Sequence, residues 1–169
     1  MLEEDKPGFL CHFDTLEDPR IDRKKLYPLT EILFVVICAS ICGAQSWRDF
    51  VTFGEEKLDY LRRFLPFENG IPSKNTYARV FSILNPDEFK KCFISWIQSF
   101  QQALGNLIAI DGKTLRKEHA PENMAMVRHI ILNMLQNTKK KFKDMSIRRL
   151  QKKAGGGDST LDMILMAAF

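Results

Sequence analysis

Asp111 ends an apolar run, Asn106-Leu-Ile-Ala-Ile-Asp-Gly-Lys-Thr-Leu-Arg116, with a glycine directly after it and Lys113 and Arg116 close behind. A carboxylate delivered by a buried strand is held in place by its sheet, which suits a ligand for a divalent cation. A divalent cation such as magnesium takes several oxygen ligands in octahedral geometry, more than one carboxylate supplies. Further strands and acids should therefore follow Asp111. Instead, the 53 residues after Arg116 read as basic and helical. The nearest acids, Glu118 and Glu122, lie at or beside a helix start, where Glu122 has a sufficient role against the helix dipole.

A second set of residues could contact phosphates: Lys139, Lys140, Lys141 and Lys143, then Arg148, Arg149, Lys152 and Lys153. Release of counterions from nucleic acid drives binding by such clusters. A solvated helix end and linker is the blander alternative, and composition does not separate the two. Lys74, Asn75 and Arg79 on a helix from Ser73 to Leu84 invite comparison with a recognition helix. The preceding linker of about seven residues is long for a tight helix-turn-helix, which favours a packing role. Cys11, Cys38, Cys42 and Cys92 lie in apolar surroundings without paired spacing, as expected for reduced core thiols. His12, His119 and His129 have no ligand partners at useful spacing, and Trp47 and Trp96 fall in apolar stripes that read as core.

The elements that must position these groups are mostly helices. Leu29 to Gly43 is apolar almost all round, with Glu31 in its first turn and glycine as the stop, and should be a central helix. Its 14-residue core, Leu29 to Cys42, is short of the roughly 20 residues a bilayer needs. Ser46 caps a second helix with Trp47, Phe50, Val51 and Phe53 on its apolar face; Gly54 interrupts it and Leu58 to Leu65 continues the pattern. A loop at Pro66-Phe-Glu-Asn-Gly-Ile-Pro72 leads to a helix capped by Ser73, with Tyr77, Val80, Phe81 and Leu84 at helical spacing. Asn85-Pro86 opens a helix carrying Phe89, Phe93, Trp96, Ile97 and Phe100. Beyond the Asp111 strand, another helix bears Met124, Val127, Ile131, Met134 and Leu135; Ser146 caps a short basic one, Gly155-Gly156-Gly157 reads as a flexible break, and Asp158 opens a last helical piece.

Of the 169 residues, 45% are hydrophobic and 27% charged, which suits a globular chain. The net charge of +4 is unevenly placed. Residues 1–60 hold seven basic and twelve acidic side chains, whereas residues 112–169 hold twelve basic and five acidic. The tail, residues 112–169, is the part that would attract polyanions. The start, Met-Leu-Glu-Glu-Asp-Lys, lacks the pattern of a signal peptide, so a cytoplasmic location without membrane association is expected.

Leu29 to Gly43, the Phe67-Glu-Asn-Gly-Ile-Pro72 loop and Ala109-Ile-Asp-Gly-Lys-Thr-Leu-Arg116 together resemble the start of H-repeat-associated proteins, a bacterial insertion-sequence transposase family with a DDE catalytic domain. Ala120 to Leu135 and Ser146 to Leu165 resemble the C-terminus of the same family. The resemblance implies that Asp111 is the first of three catalytic acids, a ligand to the two magnesium ions of DNA strand transfer. It implies too that the second aspartate and the glutamate belong to a region with no counterpart here, the junction falling between about Thr114 and His119. An internal deletion would leave such a junction, as would a fault in the sequence.

The expected architecture is mainly α. Residues 1–105 form an N-terminal helical domain, 106–118 an orphan strand of a truncated RNase H-like domain with the junction, and 119–169 basic C-terminal helices. The strand's central residues need neighbours that the chain does not supply. The expected activity is residual binding to insertion-sequence DNA ends or to a full-length transposase, without stable Mg2+ and without catalysis. Two rivals stay open: an active site completed in trans by another chain, and a decayed reading frame.

Overall fold

Residues 29–41 carry apolar side chains on every side and therefore need a partner at every face. A computed structural model describes residues 8–104, 119–139 and 145–166, and it surrounds this segment. Helix α1 (Leu29–Ile41) is buried from Glu31 to Ile41. Around it lie α2 (Trp47–Glu56), α3 (Leu58–Leu61), α4 (Lys74–Ile83), α5 (Pro86–Leu104), α6 (His119–Lys139), α7 (Ile147–Gly156) and α8 (Asp158–Met166). The described residues are mainly helical and contain no strand. The strand expected at Leu107–Ile110, like the junction after it, lies outside them. No described helix is long and apolar enough to cross a membrane.

Local signals set most of the helix ends. Gly43, at φ 95, closes α1: its N–H donates to Ser40 O, and Ala44 N–H reaches back to Ala39 O at 2.9 Å. This pair of bonds satisfies carbonyls that the helix end would otherwise leave bare, and it needs a left-handed residue at Gly43. At α2, Ser46 Oγ accepts from Asp49 N–H while the Asp49 carboxylate accepts from Ser46 N–H, a reciprocal cap. Asn85 Oδ1 accepts from Asp87 and Glu88 N–H at the start of α5, and Ser146 Oγ accepts from Arg149 N–H at α7.

Three local expectations need correction. Ser73 stands before α4 but makes no side-chain cap; its hydroxyl lies 3.3 Å from that of Thr76. Gly54 does not interrupt α2. It is an interior residue whose missing side chain leaves room for Ile71, and the break comes at Lys57, where φ is −110° and ψ 18°. Gly155 and Gly156 are the last residues of α7, and Gly157 joins directly to α8, so the triglycine forms a tight corner. A Cβ built at Gly155 would lie 3.8 Å from Cys42 Cβ, an ordinary van der Waals contact, so the corner leaves room for a small side chain there.

A single hydrophobic core runs through all eight helices except for the short polar turns. One part is an aromatic series. Phe13 meets Phe93 edge-on at 4.9 Å, Phe93 meets Phe89 at 4.8 Å, Phe89 meets Phe81 at 5.8 Å, and Phe81 contacts Trp47 at 5.5 Å. Trp96 is buried as expected, and Trp47 is half-buried. The side chains of Ile97 and Phe100 lie outside the described set. Met124, Val127, Ile131, Met134 and Leu135 of α6 are all buried, together with Ile130.

Two buried polar links join distant stretches. Glu31 Oε1 accepts from Phe67 N–H at 2.8 Å, tying the 67–72 loop to the first turn of α1. Phe67 takes φ 47, an uncommon value for a residue with a side chain, and its ring is fully buried. Asn123 of α6 is also fully buried, and its amide donates to Phe81 O at 3.0 Å and Leu84 O at 3.2 Å, where α4 ends. The C-terminal helices are thus hydrogen-bonded into the same core as the N-terminal ones.

Candidate nucleic-acid interface

Helix α7 has one apolar edge and one cationic arc. Leu150 and Ala154 are buried, Ile147 and Gln151 half-buried, and Arg148, Arg149, Lys152 and Lys153 exposed. At 3.6 residues per turn, those four side chains share a contiguous arc of about 140°, and successive pairs stand about 6 Å apart along the axis. No acid occurs on the helix. Its buried edge faces the C-terminal end of α1, with Gln151 Nε2 placed 3.5 Å from Ser40 O. The arc is therefore fixed on a rigid support and turned to solvent. Lys139, in the last turn of α6, is exposed as well. Lys140, Lys141 and Lys143 lie outside the described residues, as does Asp111.

Four cations held at this spacing can each meet a phosphate oxygen, Arg by a planar fork and Lys by a point charge. Sequence reasoning left out Arg128. It is exposed on α6, and its Nη2 donates to Gln45 O at 2.9 Å, in the loop that α7 also touches. No periodicity could have paired Arg128 with α7, because the packing of α6 beside α7 around that loop is a tertiary contact. On α4, Tyr77, Val80 and Phe81 are buried while Lys74, Asn75 and Arg79 are exposed. The helix packs through the face opposite its polar residues.

The described acids after Asp111 are differently occupied. Asp158 pairs with Lys57 at 2.7 Å; Asp162 accepts from the Tyr60 hydroxyl at 2.6 Å and lies 3.6 Å from Arg63. Both carboxylates hold α8 against the α2–α3 corner. Glu122 is exposed in the first turn of α6. Elsewhere, a cleft of about 400 Å³ opens between the Gly8–Phe13 turn and α5, lined by Cys11, His12, Glu88, Lys91, Cys92 and Ser95 among others. His12 Nδ1 lies 2.8 Å from Ser95 Oγ. Among the described residues, no group of three or more His, Cys, Asp or Glu side chains is placed to hold a metal ion. The four cysteines are free; burial pushes the Cys38 thiol well up and that of Cys42 to about 12.

Comparisons with known proteins identify a family over the N-terminal helices. The model of the DDE_Tnp_1-associated family matches residues 10–97, from the first buried leucine to the middle of α5. The H repeat-associated putative transposase YhhI of Escherichia coli K12 is 40% identical over 121 residues, covering 71% of this chain and 32% of that protein. The putative transposase YncI of Escherichia coli O157:H7 is 41% identical over 110 residues, covering 64% of this chain and 28% of its own length. The inactive transposase YbfQ of Escherichia coli K12 is 45% identical over 71 residues, or 42% of this chain and 84% of that shorter protein. The chain thus spans about a third of YhhI, at 32%. No solved structure matches it. With the family model covering α1 through the middle of α5, more than half of the residues, the chain belongs to the DDE_Tnp_1-associated family of transposase-related proteins.

Proposed function

We propose that this chain is a shortened, catalytically silent transposase relative that binds DNA through the cationic arc of α7. The observation that carries this reading is the fixed, solvent-facing set Arg148, Arg149, Lys152 and Lys153, on a helix whose other edge is anchored in the core. Insertion-sequence ends are the DNA that the family would bring to such a surface. A longer transposase is a second partner, which the chain would oppose by occupying the same DNA.

Silence follows from the donor set. The family's magnesium pair calls for several carboxylates, and the described acids after Asp111 do not fit that need. Asp158 and Asp162 are committed to Lys57, Tyr60 and Arg63. Glu122 faces solvent at a helix start. The residues that follow the Asp111 segment are used in α6, α7 and α8, which pack on the N-terminal helices.

The test is the salt dependence of binding to a 30-base-pair duplex. Four phosphate contacts give a slope of log affinity against log salt of about −3.6, or roughly a 150-fold loss between 50 and 200 mM. The variant with Arg148, Arg149, Lys152 and Lys153 all changed to alanine should lose that slope. Affinity indifferent to salt in the intact chain rejects the reading. Nicking of duplex DNA by the purified chain alone, abolished by Asp111→Ala, rejects silence.

A further inference from the structure

We propose that the DNA-contacting face is composite, with Arg128 of α6 and Arg48 of α2 extending the α7 arc into one phosphate-binding track around the Gly43–Ser46 loop. This rests on the DNA-binding reading above and adds residues that neither the basic run nor its spacing indicates.

Three helices meet at this loop. Gly43 follows α1 in a left-handed conformation, and a Cβ built there would lie 3.7 Å from Gln151 Cβ and Cδ of α7. Two residues on, Gln45 O accepts the Arg128 guanidinium of α6 at 2.9 Å. Ser46 then caps α2, which places Arg48 in its exposed first turn. On α7, Arg148 lies about 60° and Lys152 about 100° around the axis from Gln151, the residue against the loop. Those two cations therefore stand on neighbouring parts of the surface to Arg128, while Arg149 and Lys153 continue the arc away from it.

Arg128 has capacity for a ligand. Of its five N–H donors, the described bonds use one, and that bond orients the planar group instead of neutralising it. Such a pre-aimed fork loses little freedom on meeting a phosphate. Arg48 makes no side-chain hydrogen bond or ion pair with the described residues. The acid nearby, Asp49, is exposed, but its carboxylate is engaged by the backbone of the loop. Its Oδ2 accepts from Gln45 N–H at 3.0 Å and Ser46 N–H at 2.9 Å, and these bonds hold its carboxyl below the usual range. Its negative charge is offset by the N-terminal end of α2. Duplex phosphates recur along each strand, so cations spread over α2, α6 and α7 suit a backbone better than a compact anion.

The experiment measures the affinity of the intact chain for the 30-base-pair duplex from 50 to 200 mM salt, beside three variants: Arg48→Gln, Arg48→Gln with Arg128→Gln, and the four-alanine α7 variant. Arg48→Gln should reduce the magnitude of the salt slope by about 0.9, and the double variant by about 1.8, independently of DNA sequence. Because Arg128 also holds Gln45, circular dichroism melting accompanies each measurement. Arg48→Gln breaks no described bond and keeps the test separate from folding. A slope unchanged in both glutamine variants, with loss only in the α7 variant, overturns the composite face and leaves the DNA-binding reading standing. A slope unchanged in all three overturns both.

Discussion

Asn123→Ala offers the sharpest test of whether α6 belongs to the core of the N-terminal helices. Asn123 is fully buried, and its amide satisfies two carbonyls at the end of α4, Phe81 O at 3.0 Å and Leu84 O at 3.2 Å. Each neutral hydrogen bond is worth about 1 kcal/mol net, and each carbonyl left bare costs about 1–3 kcal/mol. Against this stands the Asn123 Oδ1, itself buried without a hydrogen-bond partner, whose removal recovers part of the loss. The balance is a destabilisation of about 2–3 kcal/mol, equivalent to a drop in Tm of roughly 5–10 °C for a chain of this size. Asn123→Asp should cost more, because it sets carboxylate oxygens against the same two carbonyls.

The assay is urea unfolding, followed by far-ultraviolet circular dichroism for all helices and by fluorescence of Trp47 and Trp96, which lie on α2 and α5. If α6 is integral to the core, both signals move to lower urea together and remain coincident. A tryptophan transition that stays in place while the dichroism shifts would refute the reasoning. It would mean that α6 melts apart from the helices it is bonded to.

Two further outcomes follow from buried groups. Burial raises the Glu31 carboxyl above its ordinary 4.5, so the native state binds its proton more tightly than the unfolded chain. Stability from this group therefore falls as pH rises from 4.5 through the folded value. Glu31→Gln, which keeps an acceptor for Phe67 N–H, should gain on the intact chain over that window. Glu31→Ala should lose about 1–3 kcal/mol by stranding that N–H. Chemical denaturation between pH 4.5 and 8 checks both, and a parallel pH profile for Glu31→Gln and the intact chain counts against the account. At Gly54, an added Cβ would stand 2.9 Å from Ile71 Cγ2 and 3.0 Å from Cδ1. Gly54→Ala should cost about 1–3 kcal/mol by overpacking, and Ile71→Val in the same chain should restore part of it; a neutral Gly54→Ala by thermal melting removes the argument.

What could be read along the chain was what depends on near neighbours. The reciprocal cap of Ser46 and Asp49, the Asn85 and Ser146 caps, and the glycine stop at Gly43 all act within one turn. The burial of α1 was legible for a similar reason, since a helix apolar on every side has no face to show water. The cationic arc of α7 also follows from helical spacing alone. The role of Gly54 is not legible in the sequence because its reason lies in Ile71, on a loop tied to α1 by the Glu31–Phe67 bond between stretches 36 residues apart.

The helices, the Ser46, Asn85 and Ser146 caps and the kinship were legible in the sequence, because those rest on contacts three or four residues apart and on runs of matching residues. Tertiary structure alone decided that α6, α7 and α8 close over α1 and that Asp158 and Asp162 are taken by Lys57, Tyr60 and Arg63. It also brought Arg128 to the loop beside α7. The physical reason is that periodicity specifies which face of a helix is apolar but not which other face will cover it. That choice is made by shape and by buried hydrogen bonds, such as those of Asn123, across separations of about 40 to 100 residues.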